Sequence, residues 1–101
     1  MEMNGQALDP VIHQPIRLRI MAGLCQLRGA EQVDFTFLKS NLGLTDGNLG
    51  AHLATLAEQG YVALEKTFVD RKPKTFVAAT AEGRRAFANH VAALQSILKP
   101  S

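Results

Sequence analysis

The stretch Leu44-Thr45-Asp46-Gly47-Asn48-Leu49-Gly50-Ala51-His52-Leu53-Ala54-Thr55-Leu56-Ala57-Glu58-Gln59-Gly60-Tyr61-Val62 decides the fold. Thr45 stands where an N-cap hydroxyl can take a free backbone N–H, and Leu44 before it can staple onto Leu49. Leu49, Leu53 and Leu56 then recur at helical spacing and predict one buried face. The opposite face presents Asp46, Asn48, Ala51, His52 and Thr55, all short or polar. Gly60 closes the helix, and Tyr61-Val62 begins a segment of different period.

Working upstream, Phe35, Leu38 and Leu42 predict a shorter helix capped by Asp34 or Thr36 and stopped at Gly43. Two amphipathic helices joined by Gly43-Leu44, the second exposing small polar groups, form a helix-turn-helix arrangement. Before them, Pro15 suits a first helical position, and Ile16, Ile20, Leu24 and Leu27 form a stripe that Gly29 is expected to end. Leu8-Asp9-Pro10-Val11-Ile12 reads as one short helical turn capped by Asp9, and residues 1–7 as a frayed end.

Working downstream, Val62, Leu64 and Phe68 alternate with Ala63, Glu65 and Thr67, and Phe76 and Ala78 with Val77 and Ala79. This period of 2 predicts a β-hairpin over 62–79 whose tip is Val69-Asp70-Arg71-Lys72-Pro73-Lys74. Thr80 caps a last helix over 81–98, Glu82 suits its positive end, and Pro100 is expected to stop it. Phe87, Val91, Leu94 and Leu98 line that helix at spacings of four, three and four. A helix of this length runs about 27 Å, too long to lie wholly on so small a core. The stripe therefore asks for a second copy of the chain, joined by a two-fold interface to which Leu8, Val11 and Ile12 would add.

With 101 residues, 47% of them hydrophobic and 20% charged, the chain reads as one ordinary globular domain over 1–101 that needs no metal or disulfide staple. The apolar runs are far below the ~20 residues a bilayer span needs. No leader pattern opens the sequence, so a cytoplasmic protein with no membrane partner is expected. The lone Cys25 fits a reducing compartment and reads as a small packed thiol. The net charge of +2 is modest but uneven: residues 1–60 carry four basic and six acidic side chains, residues 61–101 seven basic and three acidic. Lys66, Arg71, Lys72 and Lys74 fall within nine positions, as a phosphate-contacting hairpin would need, although a solvated lysine-rich turn looks the same in sequence.

Catalytic chemistry finds no footing, since there is no glycine-rich phosphate loop, no nucleophile elbow and no acid pair with a supporting histidine. Asp9 and His13 are spaced to meet across one helical turn, which reads as local helix support rather than a dyad. His13, Cys25, His52 and His90 lack any short paired spacing, so neither a metal site nor a cofactor is expected.

The chain resembles the winged helix-turn-helix regulators, in particular the MarR- and ArsR-like repressors and their small single-domain relatives. The resemblance rests on His13-Gln14-Pro15-Ile16-Arg17, Leu42-Gly43-Leu44-Thr45, Asn48-Leu49-Gly50-Ala51-His52-Leu53, Leu56-Ala57-Glu58-Gln59-Gly60-Tyr61-Val62 and Thr80-Ala81-Glu82-Gly83, and it covers about residues 8–98. It implies a mainly α fold with a small hairpin: a three-helix core, a two-stranded wing and a C-terminal dimerisation helix. It also implies a homodimeric transcriptional regulator of double-stranded DNA, with the third helix in the major groove and the wing on the backbone or in the minor groove.

On that reading Asn48, His52 and Thr55 are the base-reading candidates, and Thr45, Arg71, Lys72 and Lys74 the phosphate candidates. Asn48 serving only the cap and His52 touching only phosphate stay open. Phe87, Val91, Leu94 and Leu98 would form the dimer interface, and two copies would place their reading helices about 34–36 Å apart on an inverted repeat. A small-molecule effector could enter between the dimer helices. Two departures stand out: Gly50 where such proteins often carry serine, and Asp46, which would repel phosphate unless it caps backbone N–H groups, the expected role, or accepts from a cytosine amino group. The alternative reading is a winged helix used as a protein-interaction module, because a fold does not by itself fix a function.

Overall fold

A computed structural model describes residues 7–28 and 31–99. The expected frayed end, apart from Ala7, and the expected stops at Gly29 and Pro100 lie outside them. Its elements are α1 (Pro10–His13), α2 (Pro15–Leu24), β1 (Val33–Asp34), α3 (Phe35–Leu42), α4 (Asp46–Glu58), β2 (Val62–Val69), β3 (Lys72–Ala79) and α5 (Ala81–Leu98).

The helix starts are local events. The Asp9 carboxylate accepts from the N–H groups of Val11 and Ile12, Asp34 accepts from Thr36, and Thr45 from Asn48. Each satisfies a donor that the first turn leaves without a partner. Gly43 ends α3 at φ 67°, the left-handed conformation that glycine adopts without a Cβ penalty. Ile12, Ile20, Met21, Leu24, Leu38, Leu49, Leu53, Leu56, Tyr61, Val62 and Val77 form the core where α1, α2 and α4 meet the base of the hairpin.

Three expectations need correction. The sheet has three strands, not two, in the order β1-β3-β2, because Val33 and Asp34 pair with Val77 and Phe76. The α2 helix ends at Leu24 with Cys25 as its cap, so Leu27 packs on the core from the following turn. Along β2 only Val62 is buried, while Leu64 is exposed and Phe68 is 73% exposed, because the hairpin leaves the core after its first residues.

The seam of α5 also differs from its leucine stripe. Its buried residues are Gly83, His90 and Ala93, whereas Phe87, Val91 and Leu94 are half-buried and Leu98 is 74% exposed. Small side chains let α5 approach closely, and Gly83 is required: a Cβ there would fall on the carbonyl oxygen of Tyr61. The same junction is bonded throughout. Thr80 donates its N–H to Tyr61 O at 3.1 Å and its hydroxyl to Gly60 O at 2.6 Å, and accepts from Gly83 N–H at 2.9 Å.

His90 is fully buried and sits in a polar network. Asp9 N–H donates to its Nδ1 at 2.9 Å, and its Nε2 faces His13 Nδ1 at 3.3 Å. Tyr61 donates its hydroxyl to the Asp9 carboxylate at 2.6 Å, and burial with that bond pushes the phenol up to about 12. Asp9 thus supports its helical turn through the backbone N–H groups of Val11, Ile12 and His13, while its carboxylate also holds Tyr61 and the His13 ring turns to His90.

Candidate nucleic-acid interface

The two parts of the candidate surface are the outward face of α4 and the tip of the β2–β3 hairpin. Leu49, Leu53 and Leu56 anchor α4 in the core, and the 3.6-residue repeat turns the other face outward. Thr45 and Asn48 are exposed, and His52 and Thr55 are half-exposed on the same side. The Thr45 oxygen accepts from Asn48 N–H at 3.1 Å, which leaves its O–H available to an outside acceptor. Thr55 turns its hydroxyl back onto Ala51 O at 3.2 Å, so its remaining capacity is to accept.

His52 has a partner that sequence spacing did not reveal. Arg17 Nη1 lies 3.2 Å from His52 Nδ1, while Arg17 Nε donates to Val11 O at 2.6 Å. Burial, then the adjacent guanidinium, lower the proton affinity of His52 below that of an ordinary imidazole. Arg17 ends one of the stretches that carry the family resemblance, but the 35 residues between it and His52 hid the pairing from any reading of local spacing.

Asp46 does not act as expected. Thr45 caps the helix, and the Asp46 carboxylate meets Lys39 Nζ at 2.8 Å across the helix-turn-helix elbow. Gly50 faces open space, with nothing within 4 Å of where a Cβ would stand. Beside it a half-open cavity of about 290 Å³ lies between α4 and the hairpin, lined by Phe35, Gly50, Leu53, Leu64, Lys66 and Thr75.

At the hairpin tip Val69 pairs with Lys72, leaving Asp70 and Arg71 as a two-residue turn. Both have positive φ, 52° and 68°. Such turns favour Asn-Gly or Asp-Gly, so arginine at the second position holds backbone strain of about 1 kcal/mol. Arg71 and Lys72 are exposed, whereas Lys74 Nζ lies 3.4 Å from Asp34 Oδ2 of β1. The four cations thus divide, with Lys74 already facing an internal carboxylate.

Among the described residues no three His, Cys, Asp or Glu side chains gather as metal ligands, and no helix is long and apolar enough to cross a membrane. Cys25 is a half-buried free thiol whose proton is held more tightly than usual, because burial outweighs the opposing effect of Arg84.

Comparison with known proteins places this geometry. Residues 16–98 match the model of a winged helix DNA-binding domain family. The chain is 38% identical over 81 residues to an uncharacterized protein of Methanocaldococcus jannaschii, a match covering 80% of this chain and 85% of the relative. It superposes on the structure of a transcriptional regulator homologue from Pyrococcus horikoshii OT3 with a TM-score of 0.79 and 31% identity, over 87% of this chain and 84% of that one. A PadR-family transcriptional regulator from Eggerthella lenta matches with a TM-score of 0.55 and 26% identity, over 86% and 85% of the two chains. A mainly helical core, a small antiparallel sheet with a projecting wing, and a family match spanning α2 to α5 lead to one conclusion: the chain belongs to the winged helix DNA-binding domain family of transcriptional regulators, a non-enzymatic class.

Proposed function

We propose that the chain acts as a single domain, in the cytoplasm, as a homodimeric repressor that reads an inverted-repeat operator in double-stranded DNA. The observation that carries this reading is the two-sidedness of α4: three leucines wholly in the core, and Asn48, His52 and Thr55 on the outward side. Asn48 is free to pair with adenine through two hydrogen bonds. Thr45, Arg71 and Lys72 supply phosphate contacts, with Lys74 contributing less because of Asp34. The half-buried Phe87, Val91 and Leu94, continued by the exposed Leu98, offer the surface that a second α5 would cover.

Selection of bound sequences from random duplex DNA tests the proposal. An enriched palindrome with half-sites about one helical turn apart is the expected result. The competing reading, apolar association with another protein, would draw on the exposed Leu64 and Phe68 of the wing. Salt separates the two, because phosphate binding weakens steeply as salt rises and apolar association does not.

A further inference from the structure

Arg17 and His52 form a pair whose chemistry leaves one arrangement of protons. A guanidinium has five donors and no acceptor, so the contact at 3.2 Å requires His52 Nδ1 to be the acceptor and therefore unprotonated. The Arg17 head cannot readily turn away, because its Nε is held by Val11 O at 2.6 Å. A neutral imidazole with a bare Nδ1 carries its proton on Nε2. A second proton would place Nδ1–H against the guanidinium, like charge against like charge. Burial and Arg17 both disfavour that form.

We propose that Arg17 acts as a positioning residue that fixes His52 as a hydrogen-bond donor toward DNA, so that the base facing it must offer an acceptor and cytosine is excluded. This rests on α4 lying in the major groove. There adenine and guanine present N7, guanine adds O6 and thymine presents O4, whereas cytosine presents only its N4 amino donor. A single donor cannot separate the first three sharply. The pair therefore specifies by exclusion, in contrast to the two-bond recognition open to Asn48.

The test is sequence selection with the full chain, comparing wild type, Arg17→Ala and His52→Gln, each checked for folding by circular dichroism. In wild type, one position per half-site should be depleted of cytosine about tenfold. In Arg17→Ala the ring takes either tautomer, so cytosine should return at that position while the others keep their preferences. In His52→Gln, which leaves the Arg17–Val11 bond in place, the position should narrow to adenine, which a glutamine amide pairs through N6 and N7. Depletion of cytosine that persists in Arg17→Ala, a position that fails to narrow to adenine in His52→Gln, or a motif without any such position, overturns the proposal. A wild-type selection that enriches nothing overturns the major-groove reading beneath it.

Discussion

Asp9 and His90, 81 residues apart in sequence, share a hydrogen bond of 2.9 Å from the backbone N–H of one to Nδ1 of the other. The bond requires a neutral His90, and burial, then the nearby His13, lower the proton affinity of that ring, with Asp9 opposing. The folded-state pKa of His90 thus lies below its unfolded value of about 6.5. The unfolded chain then binds a proton first as pH falls, so this contribution is present above pH ~6.5 and is lost below it. The melting temperature should drop between pH 7.5 and 5.5, and His90→Gln should melt lower at pH 7.5 but lose much of that drop. An equal drop in both proteins would remove His90 as its source.

The strained tip sets stability against binding. Arg71→Gly should relieve about 1 kcal/mol and raise the melting temperature by about 4 °C. The same change should weaken binding to all duplexes alike and lower the slope of log affinity against log salt by roughly 1. Lys74→Ala should change that slope less, owing to Asp34. A tip that gains stability with no loss in salt slope would take Arg71 off the DNA.

Base reading by Asn48 has a different signature. Asn48→Ala should cost about 1–3 kcal/mol on the preferred site and relax one position per half-site, with little effect on random DNA. The Thr45 cap accepts from the backbone of residue 48, so the helix start survives the change. Equal losses on both kinds of DNA would restrict Asn48 to the backbone.

Leu94 tests the dimer. Leu94→Glu, provided circular dichroism shows it folded, should convert a dimer to a monomer in sedimentation and reduce operator affinity at least tenfold, ~1.4 kcal/mol. Wild-type protein that sediments as a monomer at micromolar concentration and binds a half-site tightly would refute the α5 interface.

What was legible in the sequence was what is decided locally. The Thr45 cap, the left-handed Gly43 and the Thr80 cap act within a few residues, so α3, α4 and α5 start or stop where the pattern placed them. Val33 and Asp34 are too few to show a period and owe their strand to Val77 and Phe76 on β3. The Lys39–Asp46 ion pair, the Arg17–His52 pair and the Asp9–His90 bond join residues that only the packed helices bring together. On α5 the stripe marked the less buried side, half-buried at Phe87, Val91 and Leu94, while the packed seam is made by glycine, alanine and a histidine, which no apolar pattern picks out.

The junction at Tyr61, Thr80 and Gly83 gives the molecule a mechanical character. The end of α4, the root of the wing and the first turn of α5 meet there on short hydrogen bonds, with no room for even a methyl group at Gly83. Such a hub ties the three elements together like spokes at one wheel's centre. In the proposed dimer, the gauge between the two reading helices is then governed by the angle at which the α5 helices cross.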